Sequence, residues 1–479
     1  MNLDADQCYR ALRAHDSRFD GRFFVGVGTT RIYCRPVCTT KTPHRENCRF
    51  FPSAAAAESH GFRPCLRCRP ELAPGFAAVD ANRRLAQSAA SLIEDGQLTD
   101  ARLPDIAASL GVTDRHLRRV FQDEFGVSPV EYAQTQRLLL AKRLLTDTRL
   151  PVIDVAMSSG FASLRRFNDL FRKRYRMTPG ELRKECGDQV SHRFAFELAY
   201  RPPYDWEAML AFLARRAIAG VEAIEGNAYV RSVAVERKGK RYTGYISVAP
   251  SRRKPALRVV VSATLAPALP TVLARVKHLF DLGCHPDEVE GVLGELARAH
   301  PGLRLPGAID GFEIAVRAIL GQQVTVHAAT TIAGRFAAAF GEPVETPNCH
   351  VTTLFPTPAV IAALQPSTVA AQGIVSARAQ AIVALARELE SGKLRLDPAA
   401  PVEATVAALD ALPGVGPWTA QYIAMRALAW PDAFPHPDVA VLKAMKHSKP
   451  AAALAASGQW SPWRAYAVLH LWKSLEKNT

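Results

Sequence analysis

In residues 113–125, TDRHLRRVFQDEF, the apolar side chains Leu117, Val120, Phe121 and Phe125 recur at intervals of three and four. Arg115, Arg118, Arg119 and Gln122 lie on or near the opposite face. The spacing predicts an amphipathic helix, with Gly111 in the turn before it and Thr113 as N-cap. Residues 163–175, SLRRFNDLFRKRY, repeat the arrangement, with Leu164, Phe167, Phe171 and Tyr175 inward and Arg165, Arg166, Asn168 and Arg172 outward. The flanks repeat too: FQDEFGVSPVEY at 121–132 matches FRKRYRMTPGEL at 171–182, and DIAASLGV at 105–112 matches DVAMSSGF at 154–161. Two such units in tandem predict a duplicated helical domain with paired helix-turn-helix elements. A charged helix face is often merely solvated; the duplication and the shared Ser/Thr-Pro closers favour a binding role.

Elsewhere the period changes. RYTGYISVAP and ALRVVVSATL alternate or run β-branched, predicting strands. After HPGLRLPGAIDG at 300–311, Ala- and Leu-rich helical periodicity runs almost to the end. Earlier breaks are expected at PELAPG, 70–75, followed by the helical stretch VDANRRLAQSAASLIEDG, and at ECGDQVSHR, 185–193.

At 479 residues the chain exceeds one core, and three or four domains are expected. A formal net charge of +15 favours a polyanionic partner, nucleic acid or an acidic membrane surface. No run of eighteen apolar residues exists, so no membrane span is expected, and the polar start MNLDADQCYRALRAH predicts no secretory signal. With an odd total of nine cysteines, the expectation is a reducing, cytoplasmic setting with thiols rather than disulfides. Four of them form close pairs, Cys34 and Cys38 in YCRPVC and Cys65 and Cys68 in PCLRC. Such pairs suit one tetrahedral zinc, and spacing alone points to a purely structural zinc knuckle. Cys8, Cys48, Cys186, Cys284 and Cys349 are expected to be packing residues.

The residues around the pairs, TTRIYCRPVC and GFRPCLRCRPE, change that picture. About the first 75 residues resemble the N-terminal domain of the Ada family of methylphosphotriester repair proteins. The resemblance implies one zinc per chain on Cys34, Cys38, Cys65 and Cys68, with Cys34 accepting a methyl group from a methylated DNA phosphate. A zinc-bound cysteine is deprotonated at neutral pH and needs no general base. Methylating it removes one negative charge, worth roughly 4 kcal/mol per nearby charge pair at an effective dielectric of about 20, before screening. The tandem helical region resembles the AraC family of transcription regulators over about 100 residues. That implies DNA contacts by Arg115, Arg118, Arg165 and Arg166, promoter DNA and RNA polymerase as partners, and transcription activation.

LDALPGVGPWTAQYIAMRAL at 409–428 carries L-P-G-V-G, in which Gly414 and Gly416 let backbone amides approach a DNA phosphate. Asp438, in AFPHPDVAVLK, follows twenty residues after Trp418. Hairpin plus downstream aspartate resembles the helix-hairpin-helix DNA glycosylases. Cysteines are absent after Cys349, against an iron–sulfur member, and Trp418 stands where glycosylase/lyases carry lysine, against a Schiff-base step. Through RPPYDWEAMLAFLARRA, PGLRLPGAIDGFEIAVRAILGQQV, LPGVGPWTAQY and PWRAYAVLHLW, residues 196–479 resemble DNA-3-methyladenine glycosylase II of the AlkA type. The resemblance implies that Asp438 stabilises an oxocarbenium-like sugar and that Trp418, Tyr422 and Trp472 line a pocket for a flipped cationic base, each cation–π contact contributing about 0.5–2 kcal/mol. These aromatics can equally be core residues, Trp472 above all. Gln322 and Gln323 are expected to contact DNA, Gln323 standing where AlkA proteins commonly place an apolar wedge. The G-C-H-P order around Cys284 is not read as a second methyl-acceptor site.

The expected fold is multidomain α+β: a small zinc-binding Ada-type domain over 1–76 and an all-α AraC-type double helix-turn-helix over 77–190. An AlkA-type α/β subdomain follows over 191–300, and helix-hairpin-helix glycosylase lobes over 301–479. The expected function is repair of alkylated DNA, by base excision and by methyl transfer from phosphotriesters, joined to transcription activation on double-stranded DNA and with no membrane partner. The rival is a regulator whose C-terminal half binds damaged DNA without cleaving it.

Overall fold

The computed structural model describes residues 4–16, 19–73, 81–100, 102–148, 150–185, 194–237 and 239–476. The expected divisions at 76/77 and 190/191 lie outside the described residues, as does Cys186.

After the helix Ala5–Arg13 come four short strands: β1 (Phe24–Val27), β2 (Ile32–Cys34), β3 (Cys48–Phe51) and β4 (Arg63–Pro64), in the order β3-β1-β2-β4. β2 and β4 run parallel with Tyr33 opposite Pro64, and the Cys65 amide donates to the Tyr33 carbonyl at 3.0 Å. That register sets the last residue of β2, Cys34, beside the first cysteine of the second pair.

The duplicated helices form as the periodicity predicts. Asp114–Phe125 and Leu164–Tyr175 each begin at a hydroxyl cap, Thr113 and Ser163, accepting from the His116 and Arg166 amides. Leu117, Val120, Phe121 and Phe125 are buried, as are Phe167, Phe171 and Tyr175; Leu164, expected inward, is only partly covered because it sits in the first, least enclosed turn. Arg115, Arg118, Arg165 and Arg166 are exposed, Arg118 bridging to Asp114 at 3.0 Å. The long helix Pro129–Asp147, started by a Ser128/Glu131 capping box, joins the two units.

A five-stranded antiparallel sheet follows, β5 (Phe194–Ala199), β6 (Glu222–Glu225), β7 (Ala228–Arg237), β8 (Lys240–Pro250) and β9 (Ala256–Val261), in the order β5-β9-β8-β7-β6. β8 and β9 are the two strands read from the sequence. The remainder is helical, with Gly311–Leu320, Ser376–Glu390, Pro417–Arg426 and Arg464–Glu476 packed around one apolar core. HPGLRLPGAIDG is the irregular segment expected, lying between the helices Glu295–Arg298 and Gly311–Leu320.

Apolar and polar contacts join these parts. Phe24, Tyr33, Phe51 and Phe62 share a core with Phe121 and Phe125. Lys142 on the long helix pairs with Glu71 at 2.8 Å, both nearly inaccessible, and Arg69 reaches Asp147 at 2.7 Å. Arg22 donates to His285 Nδ1 at 2.9 Å and pairs with Asp287 at 3.2 Å, seating the zinc-site domain on the segment that follows the sheet. Glu58 is 2 % exposed; its carboxylate accepts from Tyr33 Oη at 2.9 Å and Thr135 Oγ1 at 3.1 Å.

Burial pushes the Glu58 carboxyl up to about 7, with Tyr33, Arg174, Thr135 and Tyr175 pulling the other way. A carboxyl raised on folding contributes stability that is full below its unfolded value and lost as pH rises through about 7. With zinc held constant, Glu58→Gln is therefore expected to stabilise the chain relative to wild type at pH 8 more than at pH 5.5, by on the order of 1–3 kcal/mol. Thermal midpoints at both pH values check this; an equal effect of the substitution at both contradicts it.

Candidate functional site

Two places gather chemistry. In the first, the Sγ atoms of Cys34, Cys38, Cys65 and Cys68 all lie within 4.8 Å of one another. Four thiolates at zinc's usual bond length of about 2.3 Å stand roughly 3.8 Å apart, so the donor set fits tetrahedral zinc. Cys34, Cys38 and Cys65 are buried and Cys68 is half-buried. The supports come from short range. The Arg35 amide faces Cys68 Sγ at 3.4 Å, its guanidinium reaches the Cys68 carbonyl at 3.1 Å, and Asp20 holds that guanidinium through Nε at 2.8 Å. Thr40 Oγ1 lies 3.1 Å from Cys38 Sγ, a hydroxyl donor for a metal-bound thiolate.

Of the other cysteines, Cys8, Cys48 and Cys284 are buried as expected. Burial pushes the Cys284 thiol up to about 12, which suits an inert packing residue. Cys349 departs from the expectation: it is exposed, in the irregular segment after the helix Val326–Phe340, where no core reaches it.

The second place is a cavity of about 380 Å³ bordered by Phe212, Trp418, Tyr422, Asp438 and Trp472, within the usual volume of small-molecule sites. Asp438 caps the helix Val439–Ala444, its Oδ1 accepting from the Val441 amide at 2.9 Å. Trp418 Nε1 donates to Oδ2 at 2.8 Å, and Trp472 Nε1 to Oδ1 at 3.1 Å. Three N–H donors from three helices thus fix one carboxylate at the cavity wall. Trp418 and Trp472 are only partly buried, so they are not plain core residues.

The rings of Trp418 and Tyr422 are nearly parallel, with centroids 5.2 Å apart. A third ring between them requires about 7 Å, twice a van der Waals stacking distance of ~3.5 Å. The gap between these two rings therefore admits no planar guest.

Sequence reasoning missed the charged wall of the cavity. Arg216, Arg231, Arg317 and Arg426 stand there with Glu222 and Glu313. Arg231 pairs with Glu313 at 2.6 Å, and Arg317 with Glu313 at 2.7 Å and with Glu222. Burial alone would raise Glu313, but Arg231 and Arg317 draw it down to about 2. Burial would likewise raise the Tyr422 phenol, yet Arg426, Arg216 and Arg317 hold it below its ordinary value. Arg426 Nη1 donates to Tyr422 Oη at 2.6 Å. The i, i+4 spacings of Glu313 with Arg317 and of Tyr422 with Arg426 were the available signal.

The hairpin borders this site. Gly414 has φ of 81°, and an added Cβ would stand 3.2 Å from Ala381 Cβ. Gly416 precedes Pro417–Arg426, whose N-terminus has no side-chain cap, leaving its early amides for an anion. Gln322 Nε2 donates to the Gly414 carbonyl and to Thr419 Oγ1, both at 2.9 Å, bracing the hairpin. Gln323 is exposed at φ 54°, a left-handed conformation at the tip of the loop between Gly311–Leu320 and Val326–Phe340.

One zinc per chain is expected by elemental analysis, and Cys65→Ser is expected to lose most of it and lower the thermal midpoint. Full zinc retention in that variant contradicts the four-sulfur site.

Comparison with known proteins agrees with this layout. Four family models match: the metal binding domain of Ada over residues 7–71, a helix-turn-helix domain over 106–185, the AlkA N-terminal domain over 195–310, and the HhH-GPD superfamily of base excision DNA repair proteins over 316–454. A probable bifunctional transcriptional activator/DNA repair enzyme AlkA of Mycobacterium tuberculosis is 38% identical, covering 99% of this chain and 97% of its own length. DNA-3-methyladenine glycosylase 2 of Escherichia coli is 39% identical over 58% of this chain and 96% of its own. The bifunctional transcriptional activator/DNA repair enzyme AdaA of Bacillus subtilis is 32% identical over 37% of this chain and 82% of its own. Identity with the first of these relatives that runs through both chains almost end to end, together with the four family models, places the chain plainly: it belongs to the family of bifunctional AlkA proteins that join an Ada-type zinc domain and a helix-turn-helix unit to an HhH-GPD domain.

Proposed function

We propose that the chain excises alkylated bases such as 3-methyladenine from double-stranded DNA, accepts methyl groups from DNA methylphosphotriesters at Cys34, and activates transcription. The observation that carries the first activity is the Asp438 carboxylate, fixed by two indole N–H groups at the wall of an aromatic cavity. An N-alkylated purine is already cationic and departs without prior protonation. Its glycosidic electron pair leaves with the base, which becomes neutral, and the positive charge passes to the sugar. Asp438 faces that charge; water attacks the sugar carbon and releases its proton to solvent. Trp418 and Trp472 hold the carboxylate in place, while a flipped base stacks on the outer ring faces. No lysine stands at position 418, in keeping with a hydrolytic, lyase-free reaction.

At the zinc centre, the metal when bound keeps the sulfurs deprotonated. The Cys34 sulfur attacks the methyl carbon of the phosphotriester; the S–C bond forms, the C–O bond breaks, and a phosphodiester anion leaves. The four-sulfur centre then carries one negative charge fewer, and DNA binding strengthens. Arg115, Arg118, Arg165 and Arg166 contact promoter DNA in this reading, with RNA polymerase as the further partner, and Gly414, Gly416, Gln322 and Gln323 contact damaged duplex. We divide the chain at 76/77, 190/191 and 300/301 on the same basis.

Asp438→Asn is expected to abolish release of methylpurines from methylated duplex while DNA binding survives. Trp418→Phe, which keeps an aromatic ring but loses the N–H, is expected to lower turnover by roughly tenfold to a hundredfold. Chromatography of released bases checks both. Equal release by Asp438→Asn contradicts the assignment, and binding without release by wild type selects the non-cleaving regulator instead. Exposure to duplex carrying methylphosphotriesters is expected to add one methyl group to the peptide containing Cys34; addition to another cysteine, or none, contradicts the sensor assignment.

A further inference from the structure

One helix of the zinc domain touches the C-terminal ends of both arginine-bearing helices. Ser53 Oγ donates to the Phe125 carbonyl at 2.7 Å, the last residue of Asp114–Phe125. The same hydroxyl caps Ala54–Ser59, accepting from the Ala56 amide at 3.0 Å. Gly126, next in the chain at φ 73°, is packed so closely that a Cβ would stand 3.1 Å from Pro52 and 3.3 Å from Ala56. At the other end, Arg174, in the last turn of Leu164–Tyr175, donates through Nη1 to the Glu58 carbonyl at 3.0 Å.

Between the two attachments, Ala54, Ala55, Ala56 and Ala57 are all buried, so the helix is enclosed along its length. The Glu58 carboxylate ties it at once to Tyr33 beside Cys34 and to Thr135 on the long connecting helix. A six-residue helix is about 9 Å long and does not stretch. Paired reading helices recognise two half-sites only at the separation their mounting allows.

We infer that Ala54–Ser59 is a strut that fixes the spacing and tilt of the two arginine-bearing helices, so that the zinc domain takes part in selecting the DNA sequence. The inference rests on the assignment of those helices to DNA reading. A change at Cys34 has one residue to cross, Tyr33, to reach the strut.

The test is selection from a random duplex pool by the zinc-loaded full chain, wild type beside the double variant Ser53→Ala/Arg174→Ala. Wild type is expected to return two motifs at one fixed separation. The variant is expected to return the same motifs over a spread of separations and to bind the wild-type spacing roughly tenfold more weakly. A variant that keeps the single spacing and the affinity overturns the strut. A wild-type chain that returns no paired motif removes the DNA-reading assignment, and the inference with it, which is a distinguishable failure. Hydrogen exchange without DNA gives a second measurement: residues 122–125 and 172–175 are expected to exchange faster in the variant while Pro129–Asp147 stays protected. Unchanged exchange in both turns contradicts the strut independently of any DNA result.

Discussion

A carboxylate at the wall of an aromatic cavity is costly unless donors face it, and Asp438 has three: the Val441 amide and the indole nitrogens of Trp418 and Trp472. Those donors lie on three different helices, so the position of one anion depends on how Pro417–Arg426, Val439–Ala444 and Arg464–Glu476 pack. The indoles supply two things at once, the N–H groups that hold the carboxylate and the apolar faces that border the cavity. Around them, Arg231, Arg317, Glu222 and Glu313 form one buried ionic set, while Arg426 is held by the Tyr422 hydroxyl and by backbone carbonyls.

The zinc centre solves a related problem with a different element of the periodic table. Four sulfurs are gathered by two tight turns and one parallel strand pairing, and their negative charge is partly met by Arg35, itself held by Asp20. Both sites are thus fixed anions, and the proposed target of each is a polymer that is itself anionic. Each suits a target made locally less negative: a positively charged sugar in one case, an esterified phosphate in the other. The helices between them carry the compensating positive charge, with Arg115, Arg118, Arg165 and Arg166 exposed.

Much of this was legible in the chain because the determinants are local. The cysteine pairs, the duplicated helix with its Thr113 and Ser163 caps, the L-P-G-V-G hairpin and the twenty-residue step from Trp418 to Asp438 all fall within short windows. What escaped notice is long range. Arg231 meets Glu313 across 82 residues, and Arg317 meets Glu222 across 95, which no periodicity reveals. Glu58, near the end of the helix Ala54–Ser59, is buried where two other elements converge. Cys349 was read as a packing residue from its type, and the irregular segment that carries it leaves it exposed. The brace from the Gln322 amide nitrogen to the Gly414 carbonyl, across 92 residues, was equally hidden.

The central claim is that Asp438 is placed to face positive charge on the sugar. The most direct measurement is binding of two inert duplexes, one with a cationic ring-nitrogen sugar analogue at the lesion and one with a neutral abasic analogue, to wild type and to Asp438→Asn. The account predicts that wild type prefers the cationic duplex by at least about a hundredfold, as transition-state mimics allow, and that the substitution erases the preference while leaving the neutral duplex bound as before. Equal affinity of wild type for both duplexes, or a preference that survives the loss of the carboxylate, would contradict it.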